Sequence, residues 1–126
     1  MKVWYYFELA KKAAQFDRDC FRLFYLGAVG IRSDGVLVSA RNGAVINPNR
    51  AAHAEYRIGK KMDVGSTIFV ARIKPINNGF GMARPCFNCR KFLISRGIDR
   101  VYYTISDDEY GCLQLNSSRS SMEDIL

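Results

Sequence analysis

Histidine occurs once in the 126 residues, tryptophan once, proline three times and cysteine four times. So few cysteines, two of them paired as Cys86-x-x-Cys89 and two (Cys20 and Cys112) far apart, argue against a disulfide-stapled scaffold. A reducing compartment with a metal-binding or redox pair fits better, and Cys20 and Cys112 read as small buried side chains. No run of ~18 apolar residues occurs, so no membrane span is encoded. The opening stretch, Met1 to Lys12, is interrupted by Glu8, Lys11 and Lys12 and is followed by no small-residue cleavage site, so it is not expected to be a signal peptide. A cytoplasmic protein without a membrane partner is expected. Acidic residues are outnumbered, 12 against 19 Lys+Arg, for a net charge of +7 and a pI near 9.4. That balance favours anionic partners (phosphates, nucleotides or polynucleotides), with a solubilising surface as the alternative. The basic residues are scattered, and no basic tail or internal repeat is visible.

What is present is the composition of a globular chain, 48% hydrophobic and 25% charged, at 14.3 kDa the size of one domain. Residues 1–115 are read as that domain and the Ser-rich residues 116–126 as a tail. Tyr5, Leu9, Ala13, Phe16 and Cys20 recur at three-to-four spacing and predict an amphipathic helix over the first twenty residues. Residues 24–32 and 36–40 read as apolar strands around the turn Ser33-Asp34-Gly35, an antiparallel hairpin. Residues 51–61 predict a helix, capped by Asn49 or a neighbour. The β-branched run 67–73 predicts a strand buried on both faces. Pro85 suits a helix start and Gly97 its exit, and residues 98–105 return as a strand. Only a short loop, 106–111, precedes 112–115, so a last strand beside its predecessor pairs antiparallel, because a parallel return needs a dozen or more residues. This alternation predicts an α/β sheet with helices on its faces.

The sole histidine sits in His53-Ala54-Glu55, and Pro85-Cys86-Phe87-Asn88-Cys89 follows downstream, each motif at a predicted helix start. One imidazole and two thiolates supply three ligands to a tetrahedral zinc ion and leave the fourth position for water. Helix N-terminal amides and the adjacent Arg90 offset the charge of two thiolates, and Glu55 is placed to take a proton from the water. Each residue has a plainer alternative. His53 fits a satisfied core or surface position, the C-x-x-C a redox pair or half of a structural zinc site, and Glu55 a first-turn carboxylate favoured by the helix dipole.

The H-x-E…P-C-x-x-C pattern is the signature of zinc nucleobase deaminases, and on these two motifs the chain resembles the cytidine deaminase-like superfamily. The resemblance implies a three-layer α/β/α fold with a central sheet of about five strands. It also implies Zn2+ on His53, Cys86 and Cys89, Glu55 as proton shuttle, and release of ammonia as cytosine becomes uracil. Asn42, placed after the second strand, matches an asparagine that members use to hold base or sugar, although Asn42-Gly43 is also a common turn dipeptide. Ala54, Arg84 and Phe87 are the other expected substrate contacts, and Phe24 or Phe80 are further candidates to stack on the base. Arg90 after the second cysteine and the short 106–111 loop resemble the branch acting on free cytidine. Phe87 departs from that branch, which commonly has Gly there, and so does Met82-Ala83-Arg84 before Pro85. Arg84 faces either a phosphate or solvent. The substrate expected is a cytosine nucleoside or nucleotide, with a polynucleotide deaminase or a non-catalytic zinc-stabilised module as alternatives. A homo-oligomer is expected.

Overall fold

The computed structural model describes residues 2–15, 25–42 and 54–115. Along the chain run α1 (Val3–Gln15), β1 (Tyr25–Ile31), β2 (Leu37–Arg41), α2 (Ala54–Gly59), β3 (Thr67–Ile73), β4 (Phe80–Gly81), α3 (Phe87–Ser95), β5 (Arg100–Thr104) and β6 (Tyr110–Gln114). The strands form one sheet in the order β2-β1-β3-β5-β6, with β4 pairing β3 beside that path. β3 and β5 are parallel, joined by α3 as crossover. The first hairpin and the β5–β6 pair are antiparallel.

The expected hairpin closes at Asp34-Gly35: Gly35 has φ +87, its N–H donates to the Arg32 carbonyl at 2.9 Å, and Asp34 Oδ1 accepts from the Val36 N–H at 3.1 Å. Cross-strand partners Ala28 and Val70 face α2 and α3, while their neighbours Val29 and Phe69 face α1. The core is therefore split in two by the sheet. On one side Ile58 of α2 and Leu93 of α3 pack on Ile68, Val70 and Val101. On the other, Phe7, Ala10 and Ala14 of α1 pack on Val29, Phe69 and Ala71. Three layers result because a double-faced apolar sheet must be covered twice.

In α1 the residues that go inside are Val3, Phe7, Ala10 and Ala14, not the stripe through Tyr5, Leu9 and Ala13. Tyr5 is 55% exposed. Backbone proximity decides between the two faces. A Cβ on Gly27 of β1 would sit 1.9 Å from the Ala10 carbonyl oxygen, so the helix reaches the sheet only where alanines meet a glycine. Above that contact an aromatic layer forms, with Tyr6 stacked on Phe69 at 4.7 Å and Phe69 on Tyr102 at 5.0 Å.

The last carbonyls of α2, which ends at Gly59, need tertiary support. Arg96, at the end of α3, supplies some of it. Its Nε donates to the Gly59 carbonyl and its Nη2 to that of Met62, both at 3.1 Å, with Lys60 at 3.4 Å. Asp63 ties the first hairpin to the loop before β3 by accepting from the N–H and hydroxyl of Ser33 and from the Ser66 hydroxyl. These donors hold its carboxyl well below the usual range.

Cys112 is exposed, not buried as its sequence context suggested, because β6 is an outer strand of the sheet. Cys20, Asn49, Phe24 and residues 116–126 lie outside the described residues. Among the described residues no helix is long and apolar enough to cross a membrane.

Candidate active site

Ile68, Val70 and Arg72 alternate onto the face of β3 that carries α2 and α3. The first two are covered by the helices, and Arg72, nearer the carboxyl end of the strand, lines a cavity instead. Leu26, its cross-strand partner, lines it as well. The remaining wall comes from Glu55 at the start of α2 and from Met82, Ala83, Arg84 and Cys86 on the connection into α3; the enclosed volume is about 230 Å³. Open α/β sheets commonly place ligands outside the carboxyl ends of their parallel strands.

Cys86 caps α3 in an extended backbone conformation, φ −68 and ψ 167, and its Sγ accepts from the Cys89 N–H at 3.5 Å. A cysteine in place of the usual Ser or Asp moves the first helical residue to Phe87, two beyond the proline predicted to open the helix. The three-residue spacing puts both thiols on one side of the first turn. Neither is in a disulfide; Cys86 is exposed and Cys89 buried. Behind them the buried Nε of Arg90 has no hydrogen-bond partner among the described residues.

Glu55 is 4% exposed, and its buried Oε1 is likewise without a partner among the described residues. Burial pushes its carboxyl up to about 7, against the opposing pull of a backbone hydrogen bond. A buried carboxyl left with an empty lone pair costs stability, and such groups gather at sites of function. α2 and α3 are pressed together to hold it: Tyr56 and Phe92 lie 4.3 Å apart between ring centroids.

The donor chemistry suits a divalent zinc ion. Two thiols share one helix turn, an unpartnered cationic nitrogen lies on the same helix, and an unpartnered carboxyl lines the cavity beside Cys86. His53 lies outside the described residues, directly before Ala54; among the described residues no group of three candidate ligands assembles.

Asn42 is 2% exposed, and its Oδ1 accepts from the Leu26 N–H at 2.9 Å while its own N–H donates to the Leu26 carbonyl at 3.0 Å. It therefore latches the strand whose Leu26 lines the cavity. Ala54 is wholly buried in the core. Phe87 is 42% exposed, with the Lys91 ammonium 5.4 Å from its ring centroid, and it is absent from the cavity lining. Arg84 does line the cavity. Phe80 is on the far side of the sheet, packed with Trp4 and Phe7 at 5.7 and 6.4 Å, and so cannot stack in this cavity.

Sequence reasoning missed Arg72 and Thr104. A charge at the inward parity of an otherwise buried strand was the available signal for Arg72. Thr104 is fully buried; its hydroxyl donates to the Gly81 carbonyl at 2.7 Å and accepts from the Arg72 N–H at 3.3 Å. Its carbonyl also accepts from the Ala83 N–H at 2.9 Å, which fixes the wall formed by residues 82–84. A larger cavity, about 660 Å³, lies between α1, β2 and the end of α2, but it contains none of Glu55, Cys86 or Cys89.

Compared with known proteins, residues 2–105 match the family model described as the cytidine and deoxycytidylate deaminase zinc-binding region. No curated protein matches in sequence. Among solved structures, the cytidine deaminase from Burkholderia pseudomallei is similar in fold, with a TM-score of 0.66 and 20% identity over 100% of this chain and 97% of that one. On its motifs, its layered sheet and the match over residues 2–105, the chain belongs to the cytidine and deoxycytidylate deaminase family.

Proposed function

We propose that the protein is a zinc-dependent hydrolytic deaminase that converts the cytosine of a nucleoside or nucleotide to uracil and releases ammonia. The observation that carries this is the juxtaposition in one cavity of Cys86 with a buried carboxyl, Glu55, whose Oε1 has no partner among the described residues.

Zinc held by His53, Cys86 and Cys89 would supply a bound water acidic enough to ionise near neutrality. Glu55 accepts the proton of the attacking water on Oε1 and delivers it to N3 of the ring as the new C4–O bond forms. It then carries the second water proton to the exocyclic amine, the C4–N bond breaks, and ammonia leaves. Burial raises the Glu55 carboxyl in the metal-free chain, and a shuttle must both take and give a proton near the working pH. Arg90 offsets the thiolate charge, while Leu26, latched by Asn42, forms part of the wall against which the substrate rests.

The test is to quantify zinc in protein expressed with the metal, then to measure ammonia release from cytidine, deoxycytidine and their mono- and triphosphates. One zinc per chain is expected, lost in Cys89→Ser. Glu55→Gln should lower turnover by at least about 10²- to 10⁴-fold. Ammonia release that is unchanged in Glu55→Gln would remove Glu55 from the chemistry.

A further inference from the structure

Two arginines from different elements share the cavity with Glu55: Arg72 of β3, and Arg84 of the connection into α3. Both are exposed. Arg84 is braced over an aromatic ring, its guanidinium carbon 5.9 Å from the Tyr103 centroid and its Nη1 3.4 Å from the Tyr103 hydroxyl. The backbone beneath both arginines is held by Thr104, through the Arg72 N–H, the Gly81 carbonyl and the Ala83 N–H. Their stems therefore rise from one buried clamp, which limits the entropy lost when they close on a ligand.

Cavity size says where a ligand would meet them. At about 230 Å³ the space falls below the roughly 300 to 1,000 Å³ of typical small-molecule sites. It accommodates a base-sized portion beside Glu55 and leaves the rest of the ligand at the mouth, among the exposed guanidinium groups. A phosphate monoester carries roughly −1.5 to −2 charges at neutral pH, and two planar guanidinium forks match its charge and its oxygens. The other described lining residues are Leu26, Met82 and Ala83, besides Glu55 and Cys86. Among the described residues the rim thus offers two cations, enough for one phosphate.

We propose that Arg72 and Arg84 form an anion-recognising rim that selects a cytosine nucleoside monophosphate over the uncharged nucleoside. This rests on the deaminase reading above, and deepens it by naming the substrate class and two specificity-determining residues.

The test pairs kinetics with equilibrium binding for cytidine, deoxycytidine, their 5′-monophosphates and a cytosine-containing oligonucleotide, using zinc-loaded wild type, Arg72→Gln, Arg84→Gln and Arg84→Lys. Wild type should favour a monophosphate at least about 10-fold in kcat/KM, with the preference shrinking as salt rises. Each Gln variant should lose about 10- to 100-fold on the monophosphate, chiefly through KM, in keeping with the loss of charge-assisted hydrogen bonds. The nucleoside values should fall by much less, and Arg84→Lys should recover part of the loss. Equal kcat/KM for nucleoside and monophosphate, or Gln variants that lose equally on both, would overturn the rim while leaving the deaminase intact. Monophosphate binding at least 10-fold tighter than nucleoside binding, weakened by Arg72→Gln but without ammonia release, would support the rim and sink the deaminase. Turnover confined to cytosine-containing oligonucleotides would overturn the mononucleotide assignment.

Discussion

Glu55 should make the metal-free protein less stable as pH rises, and removing its charge should reverse that. Burial raises its carboxyl from an ordinary 4.5 to about 7. At 1.36 kcal/mol per pH unit this difference corresponds to about 3 kcal/mol. Below pH 4.5 the folded and unfolded chains both carry the proton, and the carboxyl has no differential effect. Between 4.5 and about 7 the unfolded chain releases the proton while the folded chain keeps it, so unfolding becomes easier with each increment of pH. Above about 7 the folded chain has ionised too and the loss is complete. Glu55→Gln keeps the shape and removes the titration. In chelator, its urea midpoint should match wild type near pH 4 and exceed it by about 1 to 3 M at pH 8, given slopes of roughly 1 to 3 kcal/mol per molar urea. The same substitution should lower ammonia release by the zinc-loaded enzyme at least about 10²- to 10⁴-fold, a case of stability set aside for activity. Coincident midpoints at pH 8, or a gap that widens toward acid, would refute the claim that this carboxyl is desolvated.

Arg96→Ala should destabilise the fold by about 2 kcal/mol in urea titrations, because it strips charged donors from the carbonyls of Gly59, Lys60 and Met62 at and just beyond the end of α2; Arg96→Lys should recover part of this. Thr104→Val leaves the Gly81 carbonyl and the Arg72 N–H without the buried hydroxyl they share. It should cost about 1 to 3 kcal/mol and lower kcat/KM beyond what the lost stability explains, whereas Thr104→Ser should behave like wild type.

Much of the layered fold was legible because its signals are local. The β-branched run at 67–73 could be buried on both faces only in a covered sheet, and the short loop at 106–111 left the last strand no parallel option beside β5. The error in α1 is instructive. Two apolar stripes were available, and hydrophobicity alone preferred the one through Tyr5 and Leu9. The stripe that goes inside is the one whose alanines allow backbone to approach Gly27, a fact about the partner strand. Cys112 was misplaced for a similar reason, since exposure depends on being at the outer strand.

For the candidate site, residue types and their spacing singled out His53, Glu55, Cys86 and Cys89, and the fold places Glu55 and Cys86 on one cavity. Helical periodicity guarantees that cysteines three apart share a side, and the donor chemistry of thiols and carboxyl belongs to the side chains themselves. Which groups stand around them was decided only by the folded chain. Strand order brings Leu26 beside Arg72, the crossover carries Arg84 to the same opening, and packing of α2 on α3 strips water from Glu55. These are consequences of non-local pairing, and nothing in the neighbouring residues of any one position encodes them.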